Sequence, residues 1–237
     1  MNFLLVSSEA DKSALSKLSE FGTVVPLPPL TSLPKPISSH ADTLIASVGD
    51  EFFVYKDYLE SDKLFRALGL PCTVISAAAG NVYPFDAALN CFTVGDRLVC
   101  REKSVAPEIL AFAKKRGYKT LNVRQGYAHC SCATVGDGIL TSDRGIFHAA
   151  ENAGIDAVFV RSAGISLPGY SGGFIGGTCG TVGRTVIFSG DLRLLRGGEA
   201  AEDFIKSKGF DPYYLSDKPP VDYGGIIFHV VLSLRIN

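Results

Sequence analysis

A short motif occurs four times in this chain, and its spacing restricts the fold more than any other feature. The copies are Leu44-Ile-Ala-Ser-Val-Gly-Asp50, Asn90-Cys-Phe-Thr-Val-Gly-Asp96, Ser131-Cys-Ala-Thr-Val-Gly-Asp137 and Thr178-Cys-Gly-Thr-Val-Gly-Arg184. They lie 46, 41 and 47 residues apart. An internal period of this length means that one supersecondary unit recurs and packs on its neighbours. A strand-like run follows each copy, at Phe52–Tyr55, Leu98–Cys100, Ile139–Thr141 and Val186–Phe188. Glycine between two short β-branched or aromatic runs marks a hairpin, because it adopts positive φ cheaply.

Each hairpin precedes a helical pattern closed by glycine. The segments are 59–68 before Gly69, 105–116 before Gly117, 143–153 before Gly154 and 198–208 before Gly209. Glycine just past the last helical residue is a helix stop. Short strand runs come next, at Cys72–Ile75, Thr120–Val123, Ala157–Val160 and Tyr213–Leu215. The unit is therefore strand, strand, helix, strand. The chain ends supply a fifth unit. Its first strand lies within Gly225–Leu234, and the rest is strand Phe3–Val6, a helix from about Glu9 to Glu20, and strand Thr23–Val25. One fifth of 237 residues is about 47, which agrees with the spacing. Joining the two ends leaves no open sheet edge. The expected fold is α/β: one domain over residues 1–237, a five-bladed propeller of ββαβ repeats with pseudo-fivefold symmetry. The N- and C-termini share the fifth blade. The run Pro26–Pro36 then reads as the stiff connection into the first complete blade.

Composition sharpens this. The chain has 25 Gly, and beyond hairpins and helix stops a third group remains. It includes Gly126, Gly172, Gly173, Gly176, Gly177, Gly224 and Gly225, all in segments that lead into first strands. There the backbone must pass close to a ligand or to other backbone. Apolar residues at 46% and charged residues at 20% exclude a disordered chain. A net charge of −1 removes the electrostatic reason to expect nucleic acid or an anionic membrane as partner. The N-terminus has no basic stretch, and Glu9 and Asp11 end its apolar run, so neither a signal peptide nor a membrane span is expected. Six cysteines without a C-x-x-C pair fit reduced thiols in a cytoplasmic protein. No metal and no cofactor is expected.

The residues that could carry chemistry fall in register. His40 and Asp42 stand two apart on an expected strand and so share a face. Counted back from Val-Gly, the position of Asp42 corresponds to Ala88, His129 and Gly176. That of His40 corresponds to Asp86, Tyr127 and Phe174. Asp86, Tyr127 and His129 are therefore candidates for one opening, with Asn90 and Ser131 one step deeper. Cys130 is the first choice of nucleophile, since a neighbouring imidazolium favours a thiolate. Strand alternation puts His129 on the opposite face, so His40 would have to serve as base. Cys91, Cys132 and Cys179 are in register with Ile45. They read as equivalent core positions, or more sharply as three converging thiols without a fourth ligand. Cys179, crowded by Gly176, Gly177 and Gly180, is a second nucleophile candidate. His148 and His229 read as structural.

The ring of five ββαβ units resembles the guanidine-modifying (pentein) superfamily. That group includes arginine deiminase, dimethylarginine dimethylaminohydrolase, agmatine deiminase and the amidinotransferases. His40-Ala-Asp-Thr43 resembles its His-x-Asp-Thr segment, and Gly224-Gly-Ile-Ile-Phe228 its last-blade Gly-Gly-Gly-x-His-Cys segment. Leu89-Asn90, Gln125-Gly-Tyr127 with Cys130-Ser131, and Gly172–Gly177 are similar to a bacterial branch of small pentein-like proteins. The resemblance implies a hydrolase or transferase acting by thiolate attack on a guanidino or amidino small molecule. His40 would shuttle protons, and Asp42 with Asp86 would hold the cation. One departure stands against it: Phe228 and Ile227 occupy the Cys and His places, and no Cys follows Cys179. The sequence therefore leaves open whether the protein is an enzyme. The alternative is a catalytically degenerate member that binds a small ligand or a protein, marked by Phe228 and Phe174 filling the pocket. A homo-oligomer remains a further option.

Overall fold

The computed structural model describes residues 2–58, 65 and 70–230. The helix expected at 59–68 and the end of the last expected strand fall almost wholly outside them. Five three-stranded sheets are formed. Four are sequential: β3 (Ile45–Val48), β4 (Glu51–Tyr55) and β5 (Cys72–Ile75); β6 (Phe92–Val94), β7 (Arg97–Cys100) and β8 (Lys119–Asn122); β9 (Cys132–Val135), β10 (Gly138–Thr141) and β11 (Ala157–Phe159); β12 (Cys179–Val182), β13 (Thr185–Phe188) and β14 (Asp211–Tyr214). The fifth joins both ends of the chain, with β15 (Ile227–Val230) beside β1 (Asn2–Ser7) and β2 (Thr23–Leu27) beyond it. In every sheet the first pair is antiparallel and the second parallel.

The repeated glycines do what their positions demand. Gly49, Gly95, Gly136 and Gly183 turn the four hairpins with φ between +54° and +63°. A parallel pair needs a crossover, and a helix supplies it. The described crossover helices after β7, β10 and β13 are Pro107–Lys115, Arg144–Asn152 and Gly198–Ser207. They bury Ile109 with Ala113, Ile146 with Ala150, and Ala201 with Ile205. Residues four apart share one face of a helix, and that face packs on the sheet. The N-terminal helix α1 (Lys12–Leu18) is shorter than the expected span. Among the described residues no helix is long and apolar enough to cross a membrane.

The first strands β3 and β6, β9 and β12, and β12 and β15 touch one another. The segments that lead into them therefore converge. Here two local expectations fail. His40 and Asp42 do not lie on a strand: His40 caps a short helix, α2 (Ala41–Leu44). The turn is held by Thr43, whose hydroxyl donates to the carbonyls of Ile37 and His40, each at 2.9 Å. Residues 128–131 also form a turn, closed by Ser131 N–H donating to Tyr127 O and Cys132 N–H donating to His129 O. Strand alternation thus decides nothing about His129 and Cys130.

Candidate active site

Five residues before the first strands' leading positions Ile45, Cys91, Cys132, Cys179 and Ile227 stand His40, Asp86, Tyr127, Phe174 and Asp222. The first four were found by register, and Asp222 was not. Its carboxylate is the best-built feature of the site. Asp222 is 2% exposed. Its Oδ1 accepts from Gly224 N–H and its Oδ2 from Phe174 N–H, both at 2.9 Å. His40 Nδ1 lies 3.7 Å from Oδ1. A Cβ on Gly173 or Gly177 would collide with this carboxylate, and one on Gly224 would collide with His40. Three glycines of the third group therefore clear space for Asp222 and His40, while Gly176 lets the backbone of the Cys130 turn approach.

Asn90 organises the other side. Its Oδ1 accepts from the backbone N–H groups of His129 (2.7 Å) and Cys130 (3.2 Å). Its Nδ2 donates to Asp42 O (3.1 Å) and to the Cys130 sulfur (2.9 Å). A single amide thus ties the α2 turn to the Cys130 turn. Asp42 is 1% exposed, and neither carboxylate oxygen has a hydrogen-bond partner of proper geometry among the described residues. Its charge is felt by the neighbouring Cys130 thiol and by Asp222. Tyr127 OH donates to Asp86 Oδ2 at 2.7 Å, while Asp86 Oδ1 is buried without a partner among the described residues.

Burial dominates the electrostatics. It raises the Asp42 carboxyl, with the Asp222 charge adding to the effect, and it raises Asp222 likewise. Burial and then the two carboxylates push the Cys130 thiol well above its ordinary value. Burial also lowers His40 and His129, each to about 4, so both are neutral at physiological pH. Among the described residues no Lys or Arg pairs with Asp42, Asp86 or Asp222. His40 and Asp222 line a cavity of about 550 Å³, together with Ser38, Lys35, Leu167 and Tyr223.

Other candidates sit elsewhere. His129 lines a separate cavity of about 200 Å³ with Cys91, Cys132 and Cys179, and its Nδ1 is buried without a partner among the described residues. Among the described residues no three His, Cys, Asp or Glu are placed to hold a metal. Cys179 donates weakly to Ile175 O, and burial pushes its thiol up to about 12. Ser131 is fully buried, its carbonyl accepting from Thr141 and its hydroxyl unpartnered among the described residues. Phe174 stacks toward Tyr127 at 6.1 Å, and Phe228 pairs across from Leu4; neither lines the His40 cavity.

His129 makes a testable contribution to stability. Its folded-state value lies below the unfolded one, about 6.5, so the unfolded chain binds the extra proton. Stability from this residue is therefore gained as pH rises from about 4 to about 6.5. His129→Asn should reduce that gain, read as urea midpoints across the window. An unchanged slope would show that His129 is solvated.

A family model matches residues 5–227. The chain belongs to the DUF6873 family, a family of unknown function. No curated protein matches the sequence. Solved structures do. DDAH from Pseudomonas aeruginosa, a Cys-to-Ser mutant complexed with citrulline, aligns with a TM-score of 0.55 at 10% identity over 90% of this chain and 91% of its own. Agmatine deiminase from C. jejuni aligns with a TM-score of 0.57 at 9% identity over 90% and 86%. An amidinotransferase from Microseira wollei, of the saxitoxin biosynthetic pathway, aligns with a TM-score of 0.52 at 12% identity over 85% and 72%. These neighbours are guanidino-modifying enzymes of the pentein superfamily. This DUF6873 member shares their mixed α/β fold of five small sheets, and at such identities the likeness establishes the fold alone.

Proposed function

We propose that this DUF6873 protein is a single-domain, five-bladed pentein enzyme that cleaves or transfers the C–N group of a guanidino or amidino compound. The observation that carries the reading is Asp42. A buried carboxylate whose two oxygens have no hydrogen-bond partner among the described residues, beside a second buried carboxylate, costs several kcal/mol when charged. A planar cation with N–H donors would satisfy it by a bidentate pair. Cys130, not a residue near Phe228, is placed against it.

In this reading the guanidinium sits on Asp42, with Asp86, held by Tyr127, as a further carboxylate. Its charge offsets the two carboxylates that hold the Cys130 thiol protonated, and so brings the thiolate within reach. The proton released from Cys130 passes to His40, which Asp222 orients through Nδ1. The sulfur attacks the central carbon and a C–S bond forms. His40 returns the proton to the departing nitrogen as the C–N bond breaks. Water, or an acceptor amine in a transferase, then attacks the same carbon and frees the sulfur. Asn90 holds the sulfur in place throughout.

The test is direct. The purified chain is incubated with L-arginine, agmatine and N-methylated arginines, and amine release and ureido product are measured. Turnover of at least one compound is expected. Absence of both turnover and calorimetric binding across the panel would overturn the reading.

A further inference from the structure

A second site stands outside this machinery, where β7 and β8 end side by side. Ligands commonly bind outside the carboxyl ends of parallel strands. Here Arg101 and Lys103 follow β7, and Arg124 follows β8. Two adjoining hollows of about 340 and 440 Å³ share Arg101 and Arg124 in their walls, and Lys103 and Asn122 line the first.

The repeats provide an internal control. The last paired residues are Cys100 with Asn122, Tyr55 with Ile75, Thr141 with Phe159, and Phe188 with Tyr214. One and three residues past the second strand, and two past the third, the β6 sheet has Arg101, Lys103 and Arg124. At the same places the β3 sheet has only Lys56, the β9 sheet Arg144 and Arg161, and the β12 sheet no cation. Arg144 is also accounted for, since its guanidinium covers the Phe159 ring at 4.9 Å. The threefold positive corner is therefore a departure of one unit and no requirement of the fold.

Its charges are unanswered. Among the described residues none of Arg101, Lys103 and Arg124 is in an ion pair. Arg101 lies over the Tyr83 ring at 5.4 Å and donates to its hydroxyl, which fixes the guanidinium at the wall. Asp143 borders the second hollow, but its carboxylate is engaged by Ile146 N–H and the Gln125 amide. Glu102 is exposed in the same turn, with its backbone N–H donating to Asn122 Oδ1 at 3.1 Å. Two guanidinium forks and an ammonium round a concave surface match the geometry of a multiply charged oxyanion.

We propose that this corner binds a compact oxyanion carrying two or more negative charges, either a phosphate compound or a polycarboxylate. Its cations take no part in the proposed reaction, although Tyr127, which bonds Asp86, borders the second hollow. The test is titration calorimetry of the full chain with inorganic pyrophosphate and, separately, with citrate. Saturable binding at low salt is expected. It should weaken at least tenfold when NaCl rises from about 50 to about 500 mM, because exposed charges are screened. Arg101→Ala and Arg124→Ala should each weaken it at least fivefold, and Lys56→Ala should not. Binding of pyrophosphate alone identifies a phosphate ligand; comparable binding of citrate identifies a general oxyanion site. Absence of saturable binding by either anion, or wild-type affinity in both arginine variants, overturns the proposal.

Discussion

Cys130→Ala is expected to lower turnover of a guanidino substrate by about 10⁴-fold or more, the scale seen when a covalent nucleophile is removed. Binding of the same cation should change little, because Asp42 and Asp86 remain. Cys179→Ala is the matched control and should retain turnover within a few-fold. The two sulfurs are equally buried, at 5% exposure each, so burial does not separate them. Their partners do. Cys130 accepts from the Asn90 amide and interacts with Asp42, whereas Cys179 faces the carbonyls of Ile175 and Gly176. Cys179 has the Thr178 hydroxyl as its donor and lacks the amide that Asn90 gives Cys130. The same contrast gives a readout without turnover. Alkylation of Cys130 should be slow in the free protein, where its thiol is held protonated, and should rise on adding a guanidino ligand too small to block the sulfur. If Cys179→Ala abolishes turnover and Cys130→Ala does not, the nucleophile is assigned wrongly.

Much of this was legible in the sequence for one physical reason. Hairpin glycines and helix-stop glycines are demanded by backbone geometry, so they recur wherever the unit recurs. Counting from them puts Asp86, Tyr127 and Asn90 in register, and Cys130 follows from its place beside His129. Asp222 was missed because β15 reads Ile-Phe-His-Val and carries no Thr-Val-Gly from which to count. Counting five back from Ile227 would have reached it. The strand-face argument for His40 and Asp42 failed because Thr43 hydroxyl bonds and a backbone bond from Asp42 N–H to Gly224 O favour a helical turn. Such long-range partners leave no local signature. The resemblance places its His and Cys at Ile227 and Phe228, which carry neither; Cys130, the first choice of nucleophile, stands in a different unit.

Asp42→Asn should weaken ligand binding and strengthen the fold, and the opposite signs are its diagnostic. Losing one partner of a buried charge pair costs about 2–5 kcal/mol in binding, a loss of tens to thousands of fold. In the free protein the same carboxylate is a liability. Its folded-state value is raised, so the folded chain holds a proton that the unfolded chain releases above about pH 4. The protons bound by the folded state then exceed those of the unfolded state, and stability falls as pH rises toward neutrality. An uncharged amide removes that penalty and can donate to the Cys130 sulfur or to Asp222. A gain of about 1–3 kcal/mol at pH 7.5 is expected, shrinking to nothing near pH 4, measured by urea denaturation. A residue that served only to pack α2 against Gly224 would show the reverse: a loss of stability at every pH, with no selective loss of cation binding. In the proposed function it is the bound cation that offsets this buried charge.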